Sequence, residues 1–361
     1  MNLDATGREI LLVGPLASAE MMAALGVTGH PTTLPGTLHG GADAGLGGDW
    51  PALRDGPGEV VAMRVQENDD LRRYLHITGL SPVDVDGQPV FGLGKGGGDD
   101  WQDNAAPLMA RAADMLLSRG IERSDQSSTA RLRRLAEIAA VRHRAESEAG
   151  PAAHLPAPDG DRVEVRHRRE AYGRYFSVEE IALRHRRYDG GWSPVLEREV
   201  FISADASLLL PYDPVLDCVL LISQFRIGPL ARGQAQCWML EPVAGRVDAG
   251  EAPADAARRE AVEEAGLDIG RLYALPAHYP TPGANSEYYY PFIAAVDLSE
   301  HETGQGFGVA DEGEDIATHI IPRAELLHLA ETGQIQCGPL ITMALMLDRM
   351  AERIRADMAG T

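Results

Sequence analysis

The sequence predicts an α/β protein in two parts: a C-terminal α/β/α sandwich on a mixed sheet, preceded by a smaller α+β domain. Three observations carry this. A chain of 361 residues is longer than one ordinary domain of about 100–200. Regular structure is broken repeatedly between Gly150 and Gly160, where Pro151, Pro156 and Pro158 interrupt an alanine-rich run that reads as a linker. Beyond it, short strand patterns follow one another with two helical patterns among them, which suits a mixed sandwich better than a regular βαβ array. The expected division is a domain at 1–120, a helix and linker at 121–161, and a second domain at 162–361.

Taken in order, Ile10–Val13 is strand-like, and Ser18–Leu25 has a short helical pattern. Gly29–Gly48, rich in Gly, Pro and His, reads as largely loop, and Glu59–Val65 as a strand. Asp100–Arg119 and Thr129–Glu148 read as helices, the first with Leu108, Ala112, Met115 and Leu116 on one face. Strand candidates then run Arg162–His167, Ser177–Arg187, Trp192–Ile202, Ser207–Leu210 and Cys218–Gln224, with a hairpin signal at Asp189-Gly190-Gly191. Ala254–Glu264 and Met343–Arg355 are the two helical patterns.

Composition narrows the function classes. Hydrophobic residues make up 44% and charged residues 24%, as in globular proteins. Acids outnumber Lys and Arg by 54 to 33, a net charge of −21, which repels phosphate backbones and argues against a nucleic-acid partner. Cys218, Cys237 and Cys337 are scattered and odd in number, so neither a disulfide framework nor a zinc site is expected. No apolar run approaches the roughly 20 residues of a membrane span, and the first residues carry acid where a secretory leader needs base. A cytoplasmic protein with no membrane partner is the expectation.

The chemistry concentrates between Gly245 and Leu267. Pro253 can begin a helix, Asp255 suits its first turn, and Gly266 is placed to end it. Glu260, Glu263 and Glu264 stand at i, i+3 and i+4, so their carboxylates share a face. Like charges near 4 Å repel by about 4 kcal/mol per pair at an effective dielectric of 20. A hard divalent cation, Mg2+ with Mn2+ as a substitute, fits such an all-oxygen set, and Mg2+ keeps positions open for phosphate oxygens.

The spacing is specific: Gly245, five residues, Glu251, seven residues, then Arg259-Glu260-x-x-Glu263-Glu264-x-Gly266-Leu267. This resembles the Nudix box, with Ala261 where a larger aliphatic residue is commoner. From about Tyr172 to Arg355 the chain is similar to the ADP-ribose pyrophosphatase branch of that superfamily. The stretches concerned are Phe176-Ser177, Leu183–Arg186, Arg198–Phe201, Ser207–Pro214, Gln224–Ile227, Glu241–Gly245, Pro282–Glu287 and Ala310–Asp315. The resemblance implies Mg2+ ligands at Glu260, Glu264, Glu314 and the carbonyl of Ala244. It implies a water-activating Glu312, with Glu263 and Arg259 supporting the cluster. Tyr175 would stack on the base, Arg198 contact it, Arg226 hold the diphosphate, and Ser286 and Glu287 bind substrate. The implied reaction is water attack on ADP-ribose to give AMP and ribose 5-phosphate, in a homodimer that exchanges N-terminal strands. GDP-mannose or another nucleotide sugar, and a sensing module that binds ADP-ribose without cleaving it, are the competing readings.

In the first domain, Leu12–Ser18 followed by Met21–Leu25 resembles the opening of a gamma-glutamylcyclotransferase-like barrel, with Val13 where that family has tyrosine. His76, closing Asp70–His76, stands where that family has an acid, so a non-catalytic domain is expected. Proteins pairing such a domain with this Nudix branch carry a tellurite-resistance label. Gly92-Leu-Gly94-Lys-Gly96-Gly97 formally fits a dinucleotide fingerprint, but Asp99-Asp100 would repel a pyrophosphate there. A loop is expected instead.

Overall fold

The computed structural model describes residues 8–118, 128–148, 150, 154–155, 160–173, 176–308 and 314–359. Two compact units divide it, Met1–Ile202 and Ser203–Thr361. The linker prolines, Tyr175 and Glu312 lie outside the described residues.

The first unit begins with β1 (Glu9–Val13), a 3₁₀ turn (Gly14–Ala17), α1 (Ala19–Ala24), β2 (Gly29–His39) and β3 (Ala52–Gln66). Then come α2 (Asp69–Ile77), β4 (Val83–Val85), β5 (Gln88–Phe91), α3 (Ala106–Ser118) and α4 (Ser128–Ser147). Ser18 caps α1 by accepting from the Met21 amide, and Asn68 caps α2 by accepting from Leu71 at 2.7 Å. The sheet order is β2-β3-β1-β5-β4, with β1 antiparallel to β3 and parallel to β5. Leu11, Val13, Leu34, Val60, Ala62, Val90 and Leu93 form its apolar cluster.

One expectation fails here. Gly29–His39 is an 11-residue strand rather than loop, paired along β3 with a register shift between Pro35 and Thr37. β2 is the edge of the sheet, where Pro31 and Pro35 forfeit no ladder bond on the open side. The glycine-rich stretch 92–97 is irregular, as expected. Gly94 and Gly96 donate to the carbonyls of Pro51 and Trp50 at 2.8 and 2.9 Å, and no helix starts there.

The same unit continues into an antiparallel sheet of β6 (Val163–Gly173), β7 (Ser177–His185) and β8 (Leu196–Ile202). Helix α4 is tied to it by buried ion pairs. Arg131 meets Glu170, which also accepts from Ser177 at 2.6 Å. Arg142 and Arg168 reach Glu179 at 3.2 and 3.4 Å, and Glu179 is only 1% exposed.

The second unit contains β9 (Ala206–Asp213), β10 (Cys218–Phe225), α5 (Ile227–Arg232), β11 (Trp238–Glu241), β12 (Val243–Arg246) and α6 (Pro253–Ala265). It closes with β13 (Leu272–Ala274), β14 (Tyr289–Ala295), β15 (Gly306–Phe307), β16 (Ile316–Pro322), α7 (Arg323–Glu331) and α8 (Gly338–Ala359). The sheet order is β13-β14-β9-β10-β16-β15, with β14 parallel to β9. Alternation along β9 and β10 divides the core. Leu208, Leu210, Tyr212, Val219 and Leu221 face α8, while Leu209, Leu220 and Ile222 face α6. This is the expected α/β/α sandwich. Ala257, Ala261 and Ala265 are the α6 residues in that second layer, all nearly or fully buried. A small residue at Ala261 therefore suits a helix lying close on its sheet.

The sheet splits where the site lies. β9 and β10 pair only at Asp213↔Cys218 and Tyr212↔Val219. Farther along, β12 pairs β9, and β11 pairs β10. The chain crosses the gap at Pro242, between β11 and β12.

Candidate active site

Helix α6 is held at both ends as its sequence requires. Pro253 occupies the first turn, and Gly266 caps the C-terminus in the left-handed region, φ 63°. Its amide donates to the Val262 carbonyl, and the Leu267 amide to Ala261. That fixes which face carries the carboxylates.

Glu264 is 1% exposed, and its Oε2 accepts from the Ala244 amide of β12 at 2.8 Å. Burial pushes its pKa up to about 8. Glu260 and Glu314 add repulsion, and the Ala244 amide and Arg226 pull the other way. Burial likewise raises Glu260 to about 7, against the pull of Arg259 and with repulsion from Glu263 and Glu314. Gly245 has no room for a side chain, since a Cβ there would sit 1.8 Å from Glu260 Oε1. The missing Cβ is what lets the Glu260 carboxylate lie against β12.

Arg259 braces the cluster. It donates to Glu251 at 3.1 Å from Nε and from Nη2, to Glu260 at 2.5 Å, to Glu263 at 3.2 Å and to the Arg246 carbonyl at 2.9 Å. Glu251 in turn accepts from the Asp248 amide at 3.0 Å, fixing the turn ahead of the helix. Glu314 arrives from the segment before β16, close enough to raise both Glu260 and Glu264. The Gly308 amide, donating to the Glu263 carbonyl at 3.3 Å, anchors the end of β15 on α6.

On the other side of the split, Arg226 donates to Glu241 through Nε at 3.1 and 3.0 Å and through Nη2 at 2.7 Å. Between them on the same face, Gln224 is buried, and its Nε2 has no acceptor among the described residues. An orphan amide donor beside an arginine fork suits an oxygen-rich ligand. Glu287 is cradled by its neighbours. Asn285 Nδ2 donates to it at 3.2 Å, Asn285 Oδ1 accepts its amide at 3.0 Å, and the Ser203 hydroxyl lies 3.5 Å away. Burial raises its pKa, opposed by hydrogen bonds from Tyr289, Asn285 and Ser203. Ser286 Oγ accepts from the Ser203 amide at 3.1 Å.

The second unit thus brings Ala244, Arg259, Glu260, Glu263, Glu264, Glu314 and Arg226 together around the split, with Ser286 and Glu287 alongside Arg226. Arg198 belongs to the first unit, exposed on β8 and donating to the Glu197 carbonyl at 2.8 Å. Gln224, Glu241 and Asn285 lie within the family-like stretches but were given no role, and Ser203 and Tyr289 were not singled out. Glu241 and Ser203 act through pairings between separate segments, whereas Asn285 and Tyr289 act on Glu287 locally. Among the described residues no three His, Cys, Asp or Glu side chains form a ready-made ligand set. Arg259 engages Glu260 as the side chains stand. The donor chemistry nevertheless fits a hard divalent cation: carboxylate oxygens raised chiefly by burial and further by one another's charge.

Comparison with known proteins agrees with this geometry. A NUDIX domain model matches residues 204–339. An ADP-ribose pyrophosphatase of Escherichia coli K12 is 39% identical over 184 residues, covering 50% of this chain and 86% of its own length. The chain belongs to the Nudix family. The ADP-ribose pyrophosphatase of Haemophilus influenzae is 34% identical over 179 residues, 49% of this chain and 81% of that one. A GDP-mannose pyrophosphatase of Escherichia coli O1:K1 is 32% identical over 171 residues, 47% and 86%. Nudix hydrolases generally depend on a divalent metal. No helix among the described residues is long and apolar enough to cross a membrane.

Proposed function

We propose that this Nudix protein hydrolyses ADP-ribose to AMP and ribose 5-phosphate with Mg2+ as its cation, Mn2+ substituting. The observation that carries the reading is the buried Glu264 beside the half-buried Glu260, on the helix face turned to the split in the sheet where Arg226 stands. The identity to ADP-ribose pyrophosphatases, higher than to the GDP-mannose enzyme, favours this substrate over GDP-mannose.

In this reading Glu260, Glu264, Glu314 and the Ala244 carbonyl hold the cation, which when bound supplies charge neutralisation and Lewis acidity at the diphosphate. Arg226 orients the diphosphate through the part of its fork that Glu241 leaves open. Glu312 takes the proton of the attacking water, while Arg259 and Glu263 keep the carboxylates in place. Ser286 and Glu287 hold the terminal sugar, and Tyr175 and Arg198 the base.

The reading extends to a cytoplasmic homodimer, with the Nudix part starting near residue 162. The K12 alignment of 184 residues is longer than the 159 residues of the second unit (203 to 361), which supports a start upstream of Ser203. Residues 1–120 form a gamma-glutamylcyclotransferase-like domain without activity of its own. Val13, fully buried on β1, and His76 on α2 occupy the positions where that chemistry needs tyrosine and an acid.

Hydrolysis of ADP-ribose with and without Mg2+, in wild type and Glu264→Gln, tests this. Metal-dependent AMP release that collapses in the variant is expected. Turnover of GDP-mannose instead would keep the chemistry and change the substrate. Binding without turnover across a nucleotide-sugar panel would make the domain a sensor.

A further inference from the structure

Arg226 stands just past the end of β10, whereas Glu241 pairs in register with Ile222, four residues earlier. The arginine therefore lies back along the sheet face, over Gln224, to reach its partner. Three hydrogen bonds hold it there, engaging Nε and Nη2. Glu241 itself is nearly buried, so the pair is shielded from water on the carboxylate side. Two further carboxylates, Glu264 and Glu287, feel the same guanidinium, which partly opposes the rise that burial gives each of them.

A guanidinium that several carboxylates attract settles on the one that offers it the best hydrogen-bond geometry, here Glu241. Here the outcome matters to the cation site. Were Arg226 to pair with Glu264, its positive charge would occupy the place of the cation. We propose that Glu241 is a positioning residue whose role is to withhold Arg226 from Glu264, keeping the metal-binding carboxylates open while leaving one edge of the arginine fork for a phosphate. This rests on the reading of Glu260 and Glu264 as cation ligands.

The test is binding of Mn2+ alone to the full chain, followed by electron paramagnetic resonance, in four proteins: wild type, Glu241→Gln, Arg226→Gln and the double variant. Withholding predicts that Glu241→Gln weakens Mn2+ binding by about tenfold to a hundredfold, as loss of a supporting partner at a metal site does. Arg226→Gln binds as wild type or tighter. The double variant recovers to within about threefold of wild type, because the competing charge is gone. A double variant as weak as Glu241→Gln would overturn the proposal, since Glu241 would then only support the fold. Unchanged affinity in Glu241→Gln overturns it as well.

Thermal melts establish that each variant is folded. If Glu241→Gln is not, Glu241→Asp takes its place. Its shorter carboxylate should weaken Mn2+ binding less, and unaltered affinity there counts against the proposal. Failure of the wild type to bind Mn2+ removes the reading of the cation site, and the proposal with it. At saturating Mn2+, Glu241→Gln should raise the KM for ADP-ribose more than it lowers kcat. A general loss of structure would not produce that split.

Discussion

Each unit buries glutamates among arginines, to opposite effect. In the first, Glu179 is met by Arg142 and Arg168, and Glu170 by Arg131 and the Ser177 hydroxyl, so helix α4 and the sheet beneath it share neutralised charge. In the second, Glu264 is buried as deeply but, among the described residues, accepts only from a backbone amide, and Glu260 shares one arginine with Glu251 and Glu263. Carboxylates that are paired fasten two elements together. Carboxylates that are buried with too little positive charge await a ligand.

The comparison breaks most sharply if Glu264→Gln does not abolish activity. A loss in kcat of about 10²–10³-fold is expected, the scale for removing one electrostatic contact to the reacting groups. The metal-free melting midpoint of the same variant should rise by about 2–4 °C, because an uncompensated buried charge has gone. Glu179→Gln should behave the other way. It strands two arginines and lowers the stability of the full chain by about 3 kcal/mol in calorimetry, with Mn2+ affinity at the α6 carboxylates unchanged.

Gly245→Ala sharpens the contrast at a single atom. A Cβ in the space of the Glu260 carboxyl should cut turnover and Mn2+ affinity together by about tenfold to a hundredfold.

The smallest effect concerns a paired carboxylate at the surface of the second unit. Asp217 accepts from Arg323 at 2.8 Å, from the Tyr212 hydroxyl at 2.9 Å and from Arg355. Burial raises its pKa, but these partners outweigh that and hold it below the ordinary 3.8. Its stabilisation is therefore present above the unfolded value and is lost as pH falls through the depressed folded one. Asp217→Asn should melt earlier at neutral pH by no more than about 1 kcal/mol, the scale of a half-exposed pair. The difference should vanish once the pH has fallen below the depressed folded value. A gap that persists in acid would mean the loss is one of packing.

What was legible in the sequence was local. Helix α6, its Pro253 start, its Gly266 end and the shared face of Glu260, Glu263 and Glu264 all follow from spacings within one helix. The helix Thr129–Glu148 and the core strands of the sandwich were likewise found within a residue or a few at each end. β2 was hidden because its prolines and glycines are those of a loop, and only its partner β3 makes it a strand. Helix Asp100–Arg119 was expected too early. It begins at Ala106, after a 3₁₀ turn whose Asp103 and Asn104 favour turns and caps over helix interior. The α5 and α7 helices, six and nine residues long, were not anticipated, being too short for periodicity to separate from strand or turn. In the site, Arg226 and the stretch Glu241–Gly245 were both visible, but not that Glu241 holds Arg226. Fifteen residues separate them, and only strand register brings them together.

The crossing at Pro242 has an evolutionary consequence. Glu241, just before it, steadies Arg226, and Ala244, two residues after it, gives its amide to Glu264. Side chains alternate along an extended chain, so one inserted or deleted residue here would turn one of these groups to the wrong face. Replacing Pro242 leaves that spacing intact, but a change of length does not, because both halves of the site are measured from the same short ruler.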